Sequence, residues 1–385
     1  MGYSTISMNQ HLLNKNNFLL RFMNKSHIKP YVSKTLYTYL SNIKKLIDDT
    51  KCNNEWDNKK KIINPYEYIH TIIPTIRYSV STYKPLSRSF FKLIELVQTH
   101  YLLDEYTDQK INTFSLAEGP GGFIEALIKL RQNKKDKYYG ITLLSDNKNI
   151  PGWKKSNSII MNKQFRLIKG ESKDGNILNY KNLEYCYTNY ANSFHLITAD
   201  GGFDFSLDFN NQEIMSSKLI LAEVLYALLL QKLNGSFVLK VFDSFTLLLA
   251  EIIYLLSTFY EKVYISKPNT SRYANSEKYI ICTKFKLPDS GVYYDTFLKI
   301  LKQINENKQN VYSILSFRLP YNFIIKLEEI NILLGQQQIE TLLHTIDLIK
   351  NPTQYNIDDL INKNIEKCII WCKKHKIDYR KQLEK

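Results

Sequence analysis

The stretch that decides the fold is Thr113-Phe114-Ser115-Leu116-Ala117-Glu118-Gly119-Pro120-Gly121-Gly122-Phe123-Ile124-Glu125-Ala126-Leu127. Five residues at 113–117 with strand character run into a glycine-rich turn, and residues 123–131 continue at helical spacing. A strand that passes through such a turn straight into a helix is the opening unit of a βαβ crossover. Glycines at that point let the backbone approach a ligand, and the helix N-terminus offers N–H groups to a carboxylate.

Working outward, the alternation continues in both directions. An amphipathic helix is predicted over 89–103. Further strands are predicted at 138–142, 165–168, 194–199, 236–242, 262–266 and 279–284, with helices at 217–233 and 245–260. Asn234-Gly235 reads as the stop signal of the third helix. Strands alternating with helices of this length predict a doubly wound, mostly parallel sheet. The last two strands, joined only by a loop, should pair antiparallel at one edge. Residues 1–84 read as a polar helical extension broken at Pro65 and Pro74, residues 85–288 as the α/β domain, and residues 289–385 as a helical region with a basic end.

Composition narrows the partners. The chain has 385 residues, 44% of them apolar, with 52 Lys and Arg against 37 Asp and Glu, a formal charge of +15. That excess points to an anionic partner, nucleic acid before an acidic membrane surface. Five scattered cysteines exclude a disulfide framework and fit a reducing compartment. The apolar stretches 219–230 and 245–259 are interrupted by Glu223 and Glu251, and residues 1–30 hold no signal-type apolar run. A soluble intracellular protein without a membrane partner is expected. Cys368, Cys372 and His375 offer three metal ligands rather than four, within a helical pattern around Trp371, so a packed helix face and no metal site is the expectation. The run Lys373-Lys374-His375-Lys376 fits RNA binding and a solvated tail equally well.

The turn at 118–123 matches neither the G-x-G-x-x-G dinucleotide pattern nor a phosphate-binding P-loop. A nucleoside with an amino-acid tail, such as S-adenosylmethionine, suits it better; on its own it serves equally as a tight structural turn. Four further residues add weight. Asp200 ends the strand at 194–199, Lys240 interrupts the strand at 236–242, Lys92 lies in the preceding helix, and Glu277 stands just before the last strand. A lysine inside a buried strand requires a partner, because desolvating an unpaired ammonium is expensive.

The order Lys92, Asp200, Lys240, Glu277, with Glu118–Phe123 at the first turn, resembles the FtsJ-like RNA ribose 2′-O-methyltransferases. Thr198-Ala199-Asp200-Gly201-Gly202-Phe203, Gln212-Glu213, the stretch 235–245 and Lys267-Pro268-Asn269-Thr270-Ser271-Arg272 are similar to the mRNA cap ribose methyltransferases of eukaryotes and large DNA viruses. The resemblance covers roughly 85–286. It implies a Rossmann-like S-adenosylmethionine-dependent methyltransferase fold, with a mostly parallel seven-stranded sheet, an antiparallel edge and helical extensions at both ends. It further implies methylation of a 2′-hydroxyl, most simply on a cap-proximal nucleotide of mRNA. The alternatives are ribosomal or transfer RNA as substrate, or an idle RNA-binding scaffold of the same fold.

On this resemblance Lys240 is the candidate base, Lys92 orients the 2′-oxygen, Asp200 positions Lys240 near the methyl donor, and Glu277 tethers the lysines. Burial and Lys92 should push the pKa of Lys240 down, and Asp200 and Glu277 should oppose that. Gly119, Pro120, Gly121, Gly122 and Phe123 should border the methionine part of S-adenosylmethionine, with Asp200 near the methyl donor and Asp174 in an adenine-side loop. The end of the second strand, Gly140-Ile141-Thr142-Leu143, lacks the acidic residue that often grips a ribose. Arg88 and Arg272 are the expected phosphate contacts. Phe203 and Phe205 are expected to stack bases, and Phe242 and Phe245 to serve the core. The implied partners are RNA, capped mRNA first, together with capping or transcription machinery. The implied location is host cytoplasm or virion for a viral chain, and nucleus or cytoplasm for a cellular one.

Overall fold

The computed structural model describes residues 2–6, 11–50, 55–74, 76–145, 152–153, 156–202 and 211–384. In chain order its elements are β1 Gly2–Thr5, β2 Phe18–Met23, α1 Lys34–Thr50, α2 Glu55–Ile63, α3 Ser89–Thr99, β3 Asn112–Leu116, α4 Gly122–Arg131, β4 Lys137–Ile141, α5 Asn157–Ile160 and β5 Phe165–Leu167. There follow α6 Tyr180–Tyr190, β6 Phe194–Ala199, α7 Gln212–Leu230, β7 Gln231–Val241, α8 Leu247–Phe259, β8 Tyr260–Lys267, β9 Lys278–Phe285, α9 Tyr294–Glu306, β10 Asn310–Leu315, α10 Tyr321–Lys350 and α11 Ile357–Lys374.

The main sheet has the order β1-β8-β9-β7-β6-β3-β4-β5. Strands β7, β6, β3, β4 and β5 pair in parallel, whereas β9 runs antiparallel between β7 and β8. From β3 the chain winds one way through β4 and β5, then returns to lay β6 and β7 on the other side. The switch point therefore falls between the carboxyl ends of β3 and β6, where such sheets bind ligands. Helices α3, α4 and α11 bury apolar side chains against one face of the sheet, and α6 to α9 cover the other.

Three features differ from the sequence-based expectation. The sheet has eight strands rather than seven, because β1 pairs antiparallel with β8, Gly2 opposite Lys267 and Thr5 opposite Tyr264. The extensions are also not purely helical: β2 and β10 form a second, two-stranded sheet that joins the two ends of the chain. Phe18, Leu20 and Phe22 of β2 turn toward the core while Leu19 and Arg21 face outward. That alternation marks a half-buried strand only once its partner, nearly 290 residues away, is known. Asn234-Gly235 is likewise not a helix stop. Helix α7 ends at Leu230, and Asn234, with φ of +65°, lies in an irregularity of β7 between the pairs Phe194–Gln231 and Leu196–Ser236. Between those pairs one residue of β6 faces four of β7, and left-handed Asn with Gly absorbs the extra length.

Several buried glutamates fasten loops to this frame. Glu95 of α3 accepts from the amides of Asn269 and Thr270 at 2.9 and 3.1 Å and from the Thr270 hydroxyl at 2.9 Å. Glu213 accepts from the Phe245 and Thr246 amides at the start of α8, and Glu251 accepts from the Ile314 and Leu315 amides and the Ser313 hydroxyl of β10. A carboxylate accepting several N–H bonds recovers much of what burial costs it.

Cys368, Trp371 and Cys372 are packed into the core by α11, and the Nδ1 of His375 lies 2.6 Å from Gln98 Oε1. These residues serve packing, as the helical pattern predicts. Phe242 and Phe245 are also core residues, Phe245 meeting Tyr37 edge-on at 5.4 Å. Among the described residues no helix is long and apolar enough to cross a membrane.

Candidate active site

Asp200 leaves the carboxyl end of β6, and Lys240 sits one strand away in β7, on the same edge of the sheet. Lys240 Nζ donates to the Asp200 carbonyl oxygen at 2.7 Å and stands 3.2 Å from its Oδ1. Lys92 comes from α3 and Glu277 from the end of the β8–β9 connection; they meet with Lys92 Nζ 2.8 Å from the carboxylate. The four residues thus form two buried ion pairs beside the switch point. The second brings together positions 185 residues apart.

Burial, the largest single influence, lowers Lys240, yet Asp200, Glu277 and Glu223 together outweigh it and hold its pKa above the ordinary lysine value. Of the opposing influences expected on this lysine, the carboxylates prevail. Lys92 is lowered by burial, with Glu277 opposing. Glu277 is raised by burial but held well below the carboxylate range by Lys92, Lys240 and Lys267. Lys240 therefore rests as an ammonium and Glu277 as a carboxylate.

Further residues of the site were not singled out from sequence. Tyr279, fully buried and paired across the ladder with Lys240, donates its hydroxyl to Asp200 Oδ1 at 3.0 Å. Glu223, in the middle of α7, accepts from the Gly201 amide at 3.2 Å, and burial pushes its pKa up to about 8. Gly201 has no space for a side chain, since a Cβ there would lie 2.3 Å from Glu223 Oε1. Lys267 closes β8 directly under Glu277. The only sequence signal for Glu223 and Lys267 is a charge in an otherwise apolar or strand-like context.

At the first turn, Glu118 Oε1 accepts from the Phe123 amide at 2.7 Å. The helix N-terminus, which the sequence pattern leaves open for a ligand carboxylate, is thus already capped by Glu118. The other oxygen, Oε2, is buried without a hydrogen-bond partner among the described residues, and burial raises the carboxyl's pKa well above normal. The chemistry of that unpartnered oxygen fits a cationic amine, such as the ammonium of a methionine moiety, whose charge would favour the ionised carboxyl. Gly121 adopts φ of +96°, Gly122 fits against Ser87 and Ser89, and Ser156 Oγ donates to the Pro120 carbonyl at 2.5 Å. Gly119 precedes Pro120 in the same turn, and the Phe123 ring is buried. Asp174 lies in the loop after β5, its carbonyl oxygen accepting from the Leu144 amide at 2.7 Å. Its Oδ1 accepts from Ser172 Oγ, the Asn176 amide and Asn182 Nδ2, bonds that overcome burial and hold the carboxyl below its usual range.

The two arginines differ. Arg88 Nη2 donates to the Thr270 carbonyl at 3.1 Å, while its Nε is buried with no partner among the described residues. Arg272 instead forms a bidentate pair with the fully buried Glu67, at 2.9 and 2.5 Å. Its charge is compensated by a carboxylate of the N-terminal extension. Phe203 and Phe205 lie outside the described residues.

A doubly wound sheet with this turn, this orphaned carboxylate and these paired lysines defines an α/β methyltransferase class. The sequence profile of the FtsJ-like methyltransferases matches residues 85–285. The chain belongs to that family, whose cofactor is S-adenosylmethionine. It is 31% identical over 265 residues to a cap-specific mRNA (nucleoside-2′-O-)-methyltransferase 1 of Drosophila melanogaster, covering 68% of this chain and 33% of that protein. It is 34% identical over 192 residues to the protein of the same name from Leishmania braziliensis, covering 47% of each. It is also 26% identical over 271 residues to an inactive cap-specific mRNA (nucleoside-2′-O-)-methyltransferase 1B of Caenorhabditis briggsae, covering 66% of this chain and 32% of that one. The chain spans between about a third and about half of these relatives' lengths.

Proposed function

We propose that this chain methylates the ribose 2′-hydroxyl of a cap-proximal nucleotide of mRNA, with S-adenosylmethionine as donor. The observation that carries the reading is the convergence of Lys92–Glu277 and Asp200–Lys240 as two buried ion pairs at the switch point. Bound S-adenosylmethionine supplies an activated methyl group for in-line displacement. Glu118 Oε2 is the candidate partner of its amine, with the 119–123 turn as its border and the Asp174 loop at the far end. A 2′-hydroxyl is a poor nucleophile until a positioned base takes its proton. Lys240, gripped twice by Asp200, is that base, and it must first surrender its own proton, because its pKa is raised. Lys92, fixed by Glu277, orients the oxygen. With the reacting groups held in place, positioning supplies much of the rate. Arg88, whose guanidinium has no carboxylate partner among the described residues, is the phosphate contact in this reading.

Ribosomal or transfer RNA as substrate is the neighbouring reading, and the inactive relative supports an idle RNA-binding one. Two formed ion pairs with a buried lysine favour activity, since an idle scaffold gains nothing from that desolvation. The deciding experiment is tritiated methyl transfer to matched capped, uncapped and internally structured RNAs. Labelling confined to capped RNA is expected. Equal labelling of uncapped RNA refutes the cap substrate, and cofactor binding without transfer to any RNA refutes the enzyme. Contacts with capping or transcription machinery belong to the same proposal and can be read by co-purification.

A further inference from the structure

Lys267 opens the stretch Lys267-Pro268-Asn269-Thr270-Ser271-Arg272, which links β8 to β9. It closes β8, and residues 268–277 then lead to β9. Lys267 is 6% exposed. Its Nζ donates to the carbonyl oxygens of Asn275 and Glu277 at 2.8 and 2.7 Å. Among the described residues, both acceptors are main-chain carbonyls; a buried ammonium is here bonded to peptide oxygens. Taking an ammonium out of water costs several kcal/mol even after relaxation, and a residue serving only to close a loop has cheaper choices.

The atoms that receive those bonds belong to Glu277 itself and to the residue two before it. The Glu277 carboxylate is fixed separately, by Ser271 Oγ at 2.7 Å and by Lys92 Nζ at 2.8 Å. Glu277 is thereby held at both ends, main chain by Lys267 and carboxylate by Lys92 and Ser271. In its charged form Lys267 also helps keep Glu277 ionised, together with Lys92 and Lys240, while burial brings its own pKa down to about 7.

We propose that Lys267 is a positioning residue for the methyl-transfer site: it fixes the backbone of Glu277 and so sets where Lys92 is held. The proposal rests on the reading of Lys92 and Glu277 as the pair that orients the ribose oxygen.

The test is a double-mutant cycle on the full chain with Lys267→Met, Glu277→Gln and the double variant. Single-turnover methyl transfer to saturating capped RNA is read together with the Kd for S-adenosylmethionine. Lys267→Met should slow transfer by about 10- to 100-fold while cofactor Kd stays within about twofold. The double variant should be no more than about threefold slower than the slower single variant, because groups acting as a unit are non-additive. Lys267→Arg, which keeps charge and donors, should recover most of the rate. Transfer within twofold of the unaltered chain in Lys267→Met, or losses that multiply in the double variant, overturns the proposal. Should Lys267→Met fail to fold, Lys267→Gln takes its place in the cycle. Crystal structures of the unaltered chain and the variant give a second readout that needs no turnover. A Glu277 main chain displaced by about 1 Å or more supports the proposal, and an unmoved one overturns it. If the unaltered chain methylates no RNA, the proposed function fails while this structural comparison still decides the role of Lys267.

Discussion

Replacing Arg272 by alanine separates two roles that the sequence alone cannot tell apart. Glu67 is fully buried, while Arg272 keeps 19% of its side chain exposed. Removing the guanidinium leaves a buried carboxylate with only the Asn64 amide and the Thr71 hydroxyl, each at 2.8 Å. Breaking a buried pair from one side costs roughly 3–5 kcal/mol, and the partial exposure of Arg272 argues for the lower end. With an unfolding entropy of roughly 2.1 cal/mol/K per residue, the 385-residue chain should lose about 4 °C of Tm for about 3 kcal/mol.

The pH dependence has a definite sign. Burial alone would raise Glu67, but Arg272 outweighs it and holds the carboxyl below its normal value. The stabilisation is therefore present above the ordinary glutamate pKa and is lost as pH falls through the lowered one. The Tm gap between the unaltered chain and Arg272→Ala should be widest near neutrality and narrow below about pH 4. Differential scanning fluorimetry across pH checks both numbers, with RNA affinity measured against salt in parallel. A phosphate contact would instead leave Tm unchanged and reduce the slope of log K against log salt by about one. That pair of results would refute the structural assignment.

Other outcomes follow from the same site. The rate of methyl transfer should climb with pH through the range where Lys240 loses its proton, and Asp200→Asn, by removing the charge that raises Lys240, should move that limb to lower pH while reducing the plateau. Tyr279→Phe removes one hydrogen bond from Asp200 and should slow single-turnover transfer by about fivefold, the equivalent of ~1 kcal/mol, with cofactor Kd unchanged. Glu118→Ala should weaken S-adenosylmethionine binding by about 10- to 100-fold in calorimetry, since it removes the orphaned oxygen assigned to the amine. Gly201→Ala places a Cβ 2.3 Å from Glu223 Oε1 and 2.9 Å from the Ala117 Cβ, and should cost about 1–3 kcal/mol in denaturant unfolding.

The strand–turn–helix at 113–131 was legible because its signals are local: apolar runs of strand length, glycines at the turn, helical spacing beyond. The seven strands between 112 and 285 were legible for the same reason, as were Asp200 and Glu277 beside strand ends, Lys240 within a strand and Lys92 in the helix before β3. What periodicity could not reach was anything whose partner lies far along the chain. β1 reads as polar sequence until β8 supplies its hydrogen bonds, and β2, Phe18–Met23, is an apolar run without strand alternation until β10 pairs with it. Asn234-Gly235 carries the chemistry of a helix stop, and only the β6–β7 register turned it into a bulge.

By itself, then, the sequence determined the βαβ frame, the family and the order in which Lys92, Asp200, Lys240 and Glu277 follow one another as candidates, because order along the chain and residue type are written in it directly. Only the tertiary structure decided which lysine faces which carboxylate, that Tyr279 and Glu223 back Asp200, that Lys267 underlies Glu277, and that Glu67 claims Arg272. The physical reason is that pairing energy and burial depend on distances in space. Lys92 and Glu277 are 185 positions apart in the chain and 2.8 Å apart in the fold.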